Sequence, residues 1–282
     1  MIERLGKLKD LNQRWLYLGT VVLLTVPFLV RVPMPPGGAM LAAPRGLYDT
    51  IEACPPGKVV LIDSSWDMGS RAENRAQLEC VVRHLCRRRI RFVVTSMITP
   101  FAPEFASRVI EPIASEAGYV YGRDWANTGF IQAGANIGAV IDGLCKDFHK
   151  IRPTDYQGRP AAALPLLRDV RTINDIYMVF CVTYQPAEQW ISFVKGQYRT
   201  PVAFGCMSIM GPRYYTYLDS GQLCGMLVGN RGAAEYEAMI GHPSTGSRLI
   251  AVASFGNCIV IAAAILGNVG AWAALRSRRK RR

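Results

Sequence analysis

Histidine is scarce in this 282-residue chain, which has only His84, His149 and His242. None stands at metal-ligand spacing from a second histidine, so a histidine-built metal centre or proton relay has little to draw on. The eight cysteines include no C-x-x-C pair, which argues against a thioredoxin-like redox motif or a zinc ribbon. The chain also lacks a G-x-S-x-G elbow, a phosphate-binding P-loop and an H-E-x-x-H helix. No repeat at solenoid or propeller period is present, and no low-complexity block. Acidic residues are outnumbered, 21 against 33 basic, for a net charge of +12.

What the chain has in quantity is apolar surface: half of its residues are hydrophobic. Two uncharged stretches supply much of it. Residues 15–30 are apolar apart from Tyr17, Thr20 and Thr25. With Arg31 snorkelling, residues 15–31 are expected to form a short first transmembrane helix, bent near Pro27. A cleaved signal peptide, with alanine-containing sites around 39–43, is the less favoured alternative. Residues 249–275 carry no charge and exceed the roughly 20 residues a bilayer needs. Within them Ala263, Gly267 and Ala271 recur every four residues, a ridge that lets another helix approach closely. Asn257 and Asn268 are three helical turns apart and share a face, where an amide in lipid needs a partner.

Much of the positive excess flanks these spans. Arg4, Lys7, Lys9 and Arg14 precede the first; Arg276, Arg278, Arg279, Lys280, Arg281 and Arg282 follow the second. By the positive-inside rule both termini are expected in the cytoplasm and the region between the spans outside it. This explains the charge without a nucleic-acid partner. The expected segments are a cytoplasmic lead (1–14), the first span (15–31), a Pro/Gly-rich linker (32–57), an extracytoplasmic domain (58–240), a second linker (241–248), the second span (249–275) and a basic cytoplasmic tail (276–282). In an oxidising space some cysteines could pair, but the seven outside the second span are an odd number.

The domain is organised around residues 58–94. A continuous apolar run at 59–62 reads as a strand buried on both faces. A polar loop follows at 63–69. Leu78, Val81, Val82 and Leu85 then recur at helical spacing, before a second strand at 90–94. Ser70 with Glu73 predicts a capping box at the helix start. The pattern repeats, with further strands at 119–121, 176–183 and 202–208 and helices at 104–117, 134–148, 187–195, 214–219 and 222–239. The expected fold is an α/β, mostly parallel Rossmann-like sheet of five strands with helices on both faces.

In such sheets ligands bind beyond the strands' carboxyl ends, which makes the loop at 63–69 the first candidate site. Its start, Asp63-Ser64-Ser65-Trp66-Asp67, offers Asp63, Ser65 and Asp67 as oxygen ligands for a divalent cation. A polar loop whose carboxylates cap the helix is the competing reading. The loop partly resembles the metal-ion-dependent adhesion loop of von Willebrand factor A domains, Asp-x-Ser-x-Ser, and departs from it at Asp67. That resemblance implies a metal-dependent binding role. Residues 134–138, Gly-Ala-Asn-Ile-Gly, have the look of a dinucleotide loop without its full glycine pattern, and a close packing contact is the favoured explanation. No cofactor is expected beyond such a cation.

The expected function is a membrane-anchored, non-catalytic binding or assembly subunit. Its partners would be the bilayer and other membrane-protein subunits or further copies of itself. A metal or small-ligand sensor using the 63–67 loop is the alternative, and a surface-polymer hydrolase built on scattered carboxylates the second.

Overall fold

The computed structural model describes residues 13–30 and 42–280. The chain divides into two compact units, residues 35–247 and a second made of 1–34 with 248–282. Most of the expected lead, the first part of the 32–57 linker, and Arg281 and Arg282 lie outside the described residues.

The larger unit is built on a six-stranded sheet in the order β3-β2-β1-β4-β5-β6, with every neighbouring pair parallel. The strands are β1 (Val59–Ser65), β2 (Arg91–Ser96), β3 (Trp125–Phe130), β4 (Ile176–Thr183), β5 (Val202–Cys206) and β6 (Gly225–Val228). The order reverses between β1 and β4, the Rossmann-like switch point. The longer helices of this unit are α2 (Ala42–Glu52), α3 (Arg71–Arg87), α4 (Ala102–Glu116), α5 (Ile137–Lys146), α6 (Gly211–Asp219) and α7 (Gly229–Met239); α1 (Gln13–Leu29) belongs to the smaller unit. Alternation along β1 sets the layers. Val60 and Ile62 pack with Leu78, Val81 and Val82 of α3, whereas Val59 and Leu61 pack with Ile141 and Leu144 of α5. Both faces of a parallel sheet are thus covered, which is why its strands read as unbroken apolar runs.

Two strands differ from the sequence expectation. The third runs over Trp125–Phe130 rather than 119–121, because Gly118 and Gly122 take positive φ and turn the intervening segment into a connector. The sixth lies inside a stretch expected to be helical. A Cβ on Gly46 or Gly225 would collide with backbone, of Cys224 and of Leu47 respectively. The two glycines therefore let α2 press directly on the edge strand. Between β4 and β5 the chain makes a π-helical turn, Trp190–Lys195. The Gly138 position faces Phe193 of that turn, where a Cβ would lie 2.5 Å from the ring. The glycines at 134–138 therefore include one that serves close packing.

Residues 241–248, expected as a linker, hold the beginning of a continuous helix, α8 (Thr245–Lys280). The residues of its first turn, which belong to the larger unit, are held there by two buried carboxylates. Glu237 accepts from the backbone N–H groups of Ser244, Gly246 and Ser247 at 2.8 Å, and from Ser247 Oγ at 2.6 Å. Glu79 accepts from Ser244 Oγ at 2.6 Å and Thr245 Oγ1 at 2.7 Å. Carboxylates here satisfy N–H groups that lack an intrahelical partner and suit the positive end of the helix dipole.

Within α8, Thr245–Ala273 is long and apolar enough to cross a membrane. At about 1.5 Å per residue it spans roughly 43 Å, against a hydrocarbon core of about 30 Å. The expected first span is shorter: its apolar stretch, Tyr17–Leu29, falls below a spanning length. In the smaller unit the two helices approach at Gly256, where a Cβ would sit 3.7 Å from Leu24. A Cβ at Gly267 would meet nothing within 4 Å beyond its own helix among the described residues. Asn257, Asn268 and Ala271 are exposed and Ala263 is half-buried. Asn268 donates to Ala264 O of its own helix at 2.8 Å, so this amide is partly satisfied without a second helix.

Candidate functional site

The carboxyl edge of the sheet gathers side chains from the segments following β1, β2, β4, β5 and β6. Asp63 lies beneath it, 1 % exposed. One carboxylate oxygen accepts from Ser65 Oγ; the other accepts from Trp190 Nε1 at 2.7 Å and Cys181 Sγ at 3.4 Å. Ser65 Oγ in turn accepts from Met97 N at 3.0 Å. Burial raises the Asp63 pKa from 3.8 to about 6, against the lowering effect of its Ser65, Trp190 and Cys181 donors.

Asp67 has a different task. Its Oδ1 accepts from Ser70 N at 2.9 Å and Ser70 Oγ at 3.0 Å, closing the turn before α3. The expected Ser70–Glu73 capping box does not form, since Ser70 makes no side-chain cap bond to the helix. The three residues singled out in the loop therefore divide. Asp63 and Ser65 are hydrogen-bonded to each other in the core, and Asp67 shapes the turn. As arranged, both carboxylate oxygens of Asp63, Ser65 Oγ and Asp67 Oδ1 accept from protein donors. Among the described residues, no group of three or more His, Cys, Asp or Glu side chains is placed to hold a metal ion.

A second set on this edge escaped sequence reasoning. One face of α3 extends Glu73, Asn74 and Gln77 under the ends of β4, β5 and β6. Glu73 accepts from Ser208 N at 2.6 Å and Ser208 Oγ at 3.0 Å. Asn74 Nδ2 donates to Gln77 Oε1 at 3.0 Å and to Thr183 O at 3.3 Å. Gln77 Nε2 reaches Cys206 O at 2.8 Å and the Leu227 and Gly229 carbonyls at 3.2 Å each. Gly229, at φ +57°, leaves no room for a side chain beside Ser208 and Glu73. Helical spacing from Glu73 to Gln77 is the available signal; the capping-box reading of Glu73 points to a local contact instead.

This edge also holds oxygens without a protein partner: Asn74 Oδ1, Thr95 Oγ1, Thr99 Oγ1, Gln189 Oε1 and Asn230 Oδ1 are buried and unpaired. Buried acceptors of this kind are completed by hydrogen-bond donors. A cavity of about 330 Å³ opens beside the ends of β5 and β6, lined by Ser208, Gly211, Tyr215, Val228 and Arg231 among others.

The histidines lie elsewhere. His84 is buried among Glu52, Tyr236 and Tyr48, with Nε2 2.9 Å from Glu52 Oε1, Nδ1 2.6 Å from Tyr236 Oη, and its ring stacked on Tyr48. Burial lowers its pKa, outweighing the Glu52 hydrogen bond, so the ring is neutral and donates from Nε2 to the carboxylate. His149 Nε2 meets Leu167 O at 2.7 Å. Ser64 Oγ accepts from Trp66 Nε1 at 2.8 Å. Neither Ser64 nor Ser65 hydrogen-bonds a histidine, so the described residues hold no serine–histidine pair here.

The fold thus defines a Rossmann-like parallel α/β domain carrying one helix of membrane-spanning length. Comparison with protein-family models, with curated proteins and with solved structures finds no match to this chain.

Proposed function

We propose that this protein is a membrane-anchored α/β binding module, a non-catalytic subunit that holds a partner at or near the bilayer. The observation that carries this reading is the long apolar helix that continues from the domain's last turn. Glu237 and Glu79 fix the first turn of a helix whose following residues are apolar and exposed. Exposed apolar side chains along such a length are costly in water and favourable in lipid. The carboxyl edge supports binding rather than turnover: its carboxylates are engaged in structural hydrogen bonds, and its unpaired oxygens favour a ligand rich in donors.

In this reading α1 is a second, short membrane segment. The basic residues at both chain ends lie in the cytoplasm, and the α/β domain lies on the opposite side. The partner is another membrane-protein subunit or a second copy of this chain, meeting α8 on the face of Asn257, Ala263, Gly267, Asn268 and Ala271. Native mass spectrometry of the full chain in mild detergent tests this. An oligomer or complex is expected, weakened when Asn257 and Asn268 are both replaced by leucine. A monomer unaffected by those changes would refute the assembly role.

A further inference from the structure

The opposite, amino edge of the sheet holds a feature that partner binding leaves unused. A cavity of about 380 Å³ lies between the C-terminal ends of α3, α4 and α7, lined by Arg83, Arg87, Arg89, Glu116, Gly241 and His242 among others. We propose that this cavity binds a phosphate-bearing anion, supplied by the headgroup of an anionic membrane lipid.

Charge comes first. Of the three lining guanidinium groups, Arg83 pairs with Glu116 at 3.2 Å and with Glu79 at 3.8 Å, and Arg87 with Glu52 at 3.3 Å, whereas Arg89 makes no ion pair among the described residues. An anion entering the cavity therefore meets the unpaired charge of Arg89 beside two arginines already partnered by carboxylates. Donor capacity comes second. Arg87 Nη1 donates to Ile240 O at 2.9 Å and Arg89 Nη1 to Ala117 O at 2.7 Å, closing the C-terminal ends of α7 and α4. These bonds offset the negative ends of the helix dipoles, which would otherwise repel an anion. Each guanidinium has five N–H donors; Arg87 Nη2 also serves Glu52 and Tyr48 and Arg83 Nη1 serves Glu116, which leaves further donors on Arg89 for a ligand. Arg83 Nε is buried and has no protein acceptor. Planar, forked donors of this kind match phosphate oxygens.

Chain connectivity identifies the source of the anion. His242 lies three residues before Thr245, where α8 begins. Three residues reach at most about 11 Å, so this lining residue stays close to the start of the apolar helix. That distance is comparable with the interfacial layer of a bilayer, where lipid phosphates are concentrated. The lipid source rests on the membrane-anchored reading; anion binding by the cavity does not.

Arg89 makes the site testable without loss of fold. It sits at φ +56° just past the end of α3, where Arg89 N bonds Cys86 O at 3.1 Å and Ile90 N bonds Leu85 O at 3.0 Å. Glycine is the residue that favours this left-handed position, so Arg89→Gly removes the cation while easing the backbone. The full chain should be purified in mild detergent and its retained lipid read by native mass spectrometry against equal phosphatidylglycerol and phosphatidylcholine. Wild type should favour phosphatidylglycerol. Arg89→Gly should cut that preference about fivefold, and Arg83→Gln combined with Arg89→Gly about twenty-five-fold, as expected for the removal of one and two surface cations. Equal retention of the two lipids by wild type, or an unchanged preference in a double variant that melts normally, would overturn the proposal. A melting rise in inorganic phosphate that the double variant loses, without lipid preference, would leave a soluble anion in the cavity and overturn the lipid source. Release of the chain from membranes at alkaline pH would instead refute the anchoring reading, a separate outcome.

Discussion

At the carboxyl edge, Asp63 is enclosed by donors from Ser65 and Trp190, and the half-buried Glu73 accepts from Ser208. At the amino edge, Arg87 and Arg88 are nearly half exposed, and Arg87 and Arg89 border an open cavity. The same helix, α3, serves both ends. Its first turns send polar side chains beneath the strand ends, and its last turn presents cations toward solvent. Charge that is buried and paired fixes geometry, whereas charge that is half hydrated remains available to a ligand. The contrast places structural polarity at one edge and ionic recognition at the other.

The largest expected effect comes from breaking the join to α8. Glu237→Ala strands three N–H groups and one hydroxyl, and should cost about 3–5 kcal/mol in denaturant unfolding of the detergent-solubilised chain. Glu237→Gln should cost less, because the amide oxygen still accepts. A negligible effect of the alanine variant would mean that the first turn is held by something else.

Asp63→Asn sharpens the contrast from the other side. With its pKa raised from 3.8 to about 6, Asp63 favours the fold in its protonated form. That contribution is fully present below pH 3.8 and is lost as pH rises through about 6. The asparagine variant should therefore be more stable than wild type at pH 7, by up to about 3 kcal/mol. The difference should shrink toward pH 4. Comparing the two proteins isolates Asp63 from His84, whose lowered pKa acts oppositely: the neutral ring stabilises the fold above its unfolded value, and this is lost on acidification. If instead millimolar magnesium or calcium raised the wild-type melting temperature and Asp63→Ala abolished the rise, the loop would be a cation site after all.

Glu73→Gln should cost about 1–2 kcal/mol, since its bonds to Ser208 are charge-assisted but partly exposed. Arg89→Gly should change stability by less than about 1 kcal/mol, as relief at positive φ offsets the lost bond to Ala117. A large loss in that variant would make Arg89 primarily a structural residue and blur the distinction between the two edges.

Much of the sheet was legible in the sequence because buried parallel strands are continuous apolar runs. The segments at 59–62, 176–183 and 202–208 announce themselves that way, as does 90–94 apart from Arg91. The sixth strand did not, because Gly225 serves the close approach of α2, and glycine carries no strand signal. The third was displaced because Tyr119 and Tyr121 look strand-like yet lie between two turns, at 117–118 and 122–124. At the candidate site, Asp63, Ser65 and Asp67 were visible as a polar loop after a strand. Their separate duties were not, because Trp190 and Cys181 come from distant parts of the chain. The role of Glu73 was obscured by a local capping rule that a long-range bond to Ser208 overrode. The linker expected at 241–248 was likewise hidden, since Glu79 acts on it from 165 residues away.

The measurement that bears most directly on the account is extraction of the full chain from native membranes at alkaline pH. A membrane-anchored module stays in the pellet and leaves it only when detergent is added. Recovery of the folded chain in the supernatant without detergent would contradict the claim that α8 anchors this domain in lipid.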